Sequence, residues 1–131
     1  MSANLSQRWL ERAAEDCVVA RLALREGHTS HTCFLAQQCA EKSLKAFLLA
    51  RSSTYPRTHK LVDLVGECAR LDRGFAPFLA DCAVVDQYYI PTRYPDAIPG
   101  SLPDGLPSSA EAADAVTIAE RILRFVQDQL A

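Results

Sequence analysis

Hydrophobic residues recur along this chain at three- and four-residue intervals almost from end to end, and no stretch alternates as a half-buried strand requires. Leu5, Trp9, Ala13, Cys17, Ala20 and Leu24 form one such stripe and predict a first helix that stops at Gly27. Thr29 or Ser30 is placed to cap a second helix running to about Ser52, with Ala36, Ala40, Leu44 and Phe47 on one face. A short loop with Tyr55 and Pro56 follows. Thr58 is the predicted cap of a third helix that carries Leu61, Leu64, Val65, Cys68 and Leu71 and ends near Gly74. Phe78, Cys82, Val85 and Tyr89 line a fourth, which tolerates Pro77 in its first turn and ends before Pro91.

The pattern then breaks. Prolines at 91, 95, 99, 103 and 107 forbid a helix, so residues 91–107 read as a long loop, of a length that in compact domains is usually functional or disordered. After it, Ser108 and Glu111 form a capping box, and Ala112, Val116, Ala119, Leu123, Val126 and Leu130 repeat at strict helical spacing. Such a stripe suits a core seam or a dimer seam; the core reading is preferred because the helix must close the bundle first. Four to five amphipathic helices with mostly short connections predict an all-α fold, an up-and-down antiparallel helical bundle forming a single domain over residues 1–131.

Composition supports this reading. The chain has 131 residues, 49% hydrophobic and 23% charged, which suits one soluble domain with a sizeable core. The longest unbroken apolar run is Ala46 to Ala50, too short for a membrane span or a signal-peptide core. Cys17, Cys33, Cys39, Cys68 and Cys82 are odd in number and contain no C-x-x-C pair. They read as small core residues in a reducing cytoplasm, with no metal site and no cofactor expected. The formal net charge of −2 excludes a strongly basic nucleic-acid binder. It also hides an asymmetry. Residues 1–60 hold nine Lys/Arg against five Asp/Glu, while residues 61–131 hold five against eleven, so a local positive field is available for a phosphate group.

Three clusters carry candidate chemistry. On the second helix Gln37, Gln38, Glu41, Lys42 and Lys45 share one face; read alone, that is a solvated surface with a Glu41–Lys45 pair at i, i+4. Arg57, Thr58, His59 and Lys60 precede the third helix, either as a cap with a solvated histidine or as an anion site at a helix N-terminus. Tyr88, Tyr89, Ile90, Pro91, Thr92, Arg93, Tyr94, Pro95 and Asp96 set a guanidinium between two stiffening prolines and beside aromatic rings. That arrangement suits phosphate binding and base stacking, or else Arg93 pairs with a buried acid to pin the loop.

In register, these clusters resemble the HEPN domain (higher eukaryotes and prokaryotes nucleotide-binding). The residues that carry the likeness are Ala36 to Lys45, Arg57-Thr58-His59-Lys60-Leu61 with Asp63 and Leu64, Thr92 to Asp96, and an Ala-rich last helix, so it covers nearly the whole chain from the first helix with Asp16 onward. The resemblance implies a small helical bundle that forms a homodimer. Short prokaryotic members are commonly encoded beside a minimal nucleotidyltransferase as toxin–antitoxin pairs. Many are metal-independent RNases that use an Arg followed four to six residues later by His. This chain departs from that motif: its histidines are 28, 31 and 59, so none follows Arg93, and the Arg25–His31 spacing falls at the first helix turn and looks coincidental.

The leading expectation is therefore a HEPN-like protein that binds a nucleotide, an RNA segment or a nucleotidyltransferase partner. Lys45, Arg57, His59, Lys60 and Arg93 are its ligand-binding candidates, and Glu41 and Tyr94 orient them. The second is an RNase in which His59 moves the proton that the usual histidine would move, while Arg93, too basic to be a general base, stabilises charge. The third is a non-catalytic interaction module in which Arg93 is buried against an acid.

Overall fold

The computed structural model describes the backbone of residues 2–88 and 106–131, and side chains from Leu5 onward. These residues form α1 (Ser2–Arg25), α2 (Thr29–Ser52), α3 (Leu61–Leu71), a 3₁₀ turn (Arg73–Phe78), α4 (Leu79–Asp86) and α5 (Ser109–Leu130). There is no strand among the described residues, and the all-α bundle expected from helical periodicity is the fold.

α1 and α2 form an antiparallel hairpin. Gly27, at φ +83°, supplies the left-handed residue that ends α1. Small residues let the two helices approach closely: Ala13 and Ala20 on α1 and Ala36 and Ala40 on α2 are fully buried. Ser6 Oγ donates to the Ala46 carbonyl at 2.7 Å. α5 closes the bundle against both. It runs antiparallel to α1, to which the Arg21–Glu120 ion pair ties it. Along α2 it runs in the same direction, since Cys39 meets Ala119 and Arg51 reaches the Gln129 carbonyl. Ala112, Val116, Ala119, Leu123 and Val126 are buried inside this one chain, so their stripe is a core seam.

The segment between α2 and α3 turns back along α2, so α3 starts level with Gln37 and Glu41 and runs beside α2 in the same direction. α2 is thereby covered on several sides, by α1, α3, α4 and α5. A helix in that position buries polar residues too, and each then needs a partner.

Helix ends differ from expectation in several places. The Ser108–Glu111 capping box forms as predicted. α2 begins at Thr29 with His28 as its N-cap, and no side chain caps it. α3 begins after Lys60 and ends at Leu71; Gly74 lies in the 3₁₀ turn that follows. Ahead of α3, Thr58 Oγ1 accepts from the Lys60 N–H and donates to Asp63 Oδ2. The cap proper comes from α4: Asp86 accepts the N–H groups of Leu61 and Val62 at 2.9 and 3.1 Å. On α1, Leu10 takes the buried place expected of Leu5, which is exposed.

Candidate functional site

The polar face of α2 is consumed by specific contacts rather than by solvent. Gln37, Glu41 and Lys45 lie at i, i+4 and i+8 and are all buried. Glu41 is the hub: Lys45 Nζ donates to Oε2 at 2.8 Å and Gln37 Nε2 to Oε1 at 3.1 Å. Gln37 Nε2 also donates to the His59 carbonyl at 2.9 Å, so the helix holds the returning segment through backbone as well as side chain. Gln38 donates to Gln37, and Lys42 pairs with Asp16 of α1 at 2.6 Å. The Lys45 ammonium lies 5.1 and 5.8 Å from the ring centroids of Tyr55 and Trp9. Those aromatic faces replace part of the water it has lost.

Residues 53–59 form the wall opposite α2. A cleft of about 530 Å³ opens between them, lined by Lys45, Leu49, Tyr55, Arg57, Thr58 and His59, with Ser53 and Thr54 at its end. Ser53 makes the turn into the segment with a left-handed φ of +64°. Arg57, His59 and Lys60 are exposed, whereas Lys45 sits on the floor. His59 Nδ1 lies 3.2 and 3.3 Å from the two Glu41 oxygens. Both facing atoms are acceptors, so Nδ1 carries a hydrogen.

The structure thus brings Glu41, Lys45, Arg57 and His59 into one place, with Lys60 at the edge, directly before α3. The α3 N-terminus is not available as an anion site, because the Asp86 carboxylate already occupies it. Burial raises the carboxyl of Asp86, while the Leu61 and Val62 N–H donors pull it down. Arg93 and Tyr94, and all of residues 89–105, lie outside the described residues. Tyr88 is buried, and burial raises its phenol. The sequence reasoning did not pick out Tyr55 and Trp9 beside Lys45, nor Asp86 as a cap. Gln37 stood in the expected cluster but not among the site residues, although its i, i+4, i+8 spacing with Glu41 and Lys45 already hinted at a continuous ladder.

All five cysteines are free and buried. Burial pushes the thiols of Cys33 and Cys82 up to about 12. Among the described residues no group of three or more His, Cys, Asp or Glu is arranged to hold a metal ion, and no helix is long and apolar enough to cross a membrane.

A two-helix hairpin with a buried Gln–Glu–Lys ladder, closed by a last helix and carrying a basic cleft at the segment that returns along it, defines a small all-helical domain. The chain belongs to the HEPN domain family, whose model matches residues 6–129. It is similar in structure to TT1696 from Thermus thermophilus, with a TM-score of 0.79 and 35% identity over 94% of this chain and 96% of that one. ST0689, described as an archaeal HEPN homologue, matches with a TM-score of 0.76 and 31% identity over 96% and 98%. A curated relative from Methanocaldococcus jannaschii, named "Putative toxin MJ1304", is 24% identical over 93% of this chain and 86% of its own length.

Proposed function

We propose that this chain is the toxin-type member of a two-component HEPN system. In this reading it acts in the cytoplasm as a homodimer beside a minimal nucleotidyltransferase partner, and it binds the phosphate of a nucleotide or an RNA segment in the cleft next to α2. The observation that carries the reading is the convergence of Arg57 and His59 on one cleft above the Glu41–Lys45 pair. A guanidinium suits the planar, forked contacts that phosphate oxygens make, and tyrosine offers a face for a base. Family membership and the curated toxin relative support the class of system, and five buried free thiols suit a reducing compartment.

Fluorescence anisotropy with a labelled oligouridylate tests the site. The wild type binds at low salt and weakens steeply as salt rises, Arg57→Ala loses roughly tenfold, and Arg121→Ala on the exposed face of α5 changes little. Equal binding by Arg57→Ala and wild type removes the cleft from the reading.

The Glu41–His59 contact favours a second reading, the RNase. Glu41 orients an imidazole that takes the 2′-hydroxyl proton while Arg93 stabilises the charged phosphorane, and the imidazolium then gives that proton to the departing 5′ oxygen. RNA left intact by the purified dimer, with His59→Gln behaving identically, rejects it.

A further inference from the structure

We infer that residues 54–57 form a ridge that a nucleotide unit straddles, its phosphate in the cleft on the Arg57 side and its base in a second cleft on the other. The inference rests on the reading of the Arg57 cleft as a phosphate site and adds to it a place for the base. The second cleft, of about 460 Å³, lies between the last turns of α2 and α3 and is lined by Leu48, Ser52, Pro56, Glu67, Arg70 and Leu71. Thr54 and Tyr55 line both clefts, whereas Pro56 lines only the second and Arg57 only the first. Neighbouring Cα atoms are roughly 3.8 Å apart, so the thickness of one extended chain divides the two clefts.

Charge sorts the two ends of the ligand. Even with Lys45 balanced by Glu41, Arg57 leaves the first cleft positive. In the second, Arg70 and Glu67 pair with each other at 3.3 Å across one turn of α3, so a phosphate gains little there. Its walls are apolar instead: Leu48 is buried, Tyr55 and Pro56 are half-buried, and Leu71 is 52% exposed. A base has a flat face that packs on such a surface whatever its sequence, and Arg70 and Glu67 supply a donor and an acceptor for its polar edge. The ridge is held in place without a ligand. Ser52 Oγ donates to the Leu48 and Thr54 carbonyls at 2.9 and 3.1 Å, the Thr58 N–H donates to the Pro56 carbonyl at 3.0 Å, and Gln37 holds the His59 carbonyl. Trp9 meets the Tyr55 ring edge to face at 6.1 Å. A segment pinned at both ends loses little freedom when a ligand crosses it.

Titration calorimetry at low salt with two pairs of probes, each pair equal in charge, separates base from phosphate. One pair is tetra-adenylate and an abasic ribose-phosphate tetramer; the other is adenosine monophosphate and ribose 5-phosphate. Wild type is expected to bind tetra-adenylate roughly tenfold more tightly than the abasic tetramer. The same preference within the monomer pair assigns the site to a free nucleotide as well, and a preference within the tetramer pair alone assigns it to a strand. Leu71→Asn, a change at an exposed position, is expected to bring the two tetramers together while leaving the abasic affinity unchanged. Arg57→Ala weakens both tetramers and keeps the ratio between them. Equal wild-type binding of base-bearing and abasic probes in both pairs, or a preference that survives in Leu71→Asn, overturns the base subsite and leaves the phosphate reading standing. Absence of binding by all four probes overturns the phosphate reading itself.

Discussion

At the residue scale, the most consequential group is Glu41. A buried carboxylate is tolerated because an ammonium and an amide neutralise and satisfy it, and removing either kind of partner would leave charge in a site with little water. Its contacts show why a lone i, i+4 Glu–Lys pair was underestimated from sequence. On a solvated helix such a pair contributes a few tenths of a kcal/mol, whereas here it is buried and continues into Gln37, whose amide also donates to the His59 carbonyl 22 positions along the chain. The cysteines carry a prediction at the same scale. Thiols in an unfolded chain ionise near ~8.5, while Cys33 and Cys82 keep their protons in the fold up to about 12. Below the unfolded value both states are protonated and stability is complete. Above it only the unfolded chain loses protons, so stability drains at up to about 1.4 kcal/mol per pH unit for each such thiol until the folded value is reached. The urea midpoint is expected to fall between pH 8 and pH 10, and to fall less in a Cys33→Ala, Cys82→Ala double variant. An equal fall in both proteins excludes these thiols as the cause.

At the element scale, α3 depends on a residue that follows it in the chain by 24 or 25 positions. Local propensity points to Thr58 as its cap, because threonine before an amphipathic run is the usual start signal. The Asp86 carboxylate takes one N–H with each oxygen, whereas Thr58 Oγ1 accepts only from the Lys60 N–H, ahead of the helix. Asp86→Ala is expected to cost about 1–2 kcal/mol in urea unfolding, with amide exchange of Leu61 and Val62 accelerated, and Thr58→Ala is expected to cost less. The reverse order would return the capping role to Thr58. Gly74 shows a related limit. A Cβ there would meet Phe125 Cζ at 2.5 Å, and that ring packs against Phe75 and Phe78, so any side chain at 74 must displace it, at a place where sequence suggested only a helix end.

At the scale of the whole molecule, α1 has two apolar sides. One faces the core, while Val18, Val19 and Leu22 remain exposed, Val19 and Leu22 beside Leu35 of α2. Exposed apolar clusters of this kind mark interaction surfaces, and this one is the surface a homodimer of the kind proposed above would use. If the chain dimerises through this surface, wild type sediments as a dimer at equilibrium and Leu22→Glu as a monomer with unchanged helix content. An unaltered dimer places the second copy elsewhere.

Much of the architecture was legible from spacing alone. Helical periodicity marked the α1 and α2 spans, the core seam of α5 and its capping box, because each depends on residues within a few positions of one another. The clustering of Gln37 to Lys45 and of Arg57 to Lys60 was legible as two separate groups. The sequence by itself therefore determined the all-helical bundle and the identity of the charged residues at its basic end. Tertiary structure alone decided that residues 53–60 turn back along α2, which buries Gln37, Glu41 and Lys45, sets His59 on Glu41 and hands the α3 cap to Asp86. The reason is physical: a polar stripe at i, i+4 and i+8 has the same pattern whether water or protein covers it, and the segment that covers this one is selected by hydrogen bonds between residues far apart in the chain.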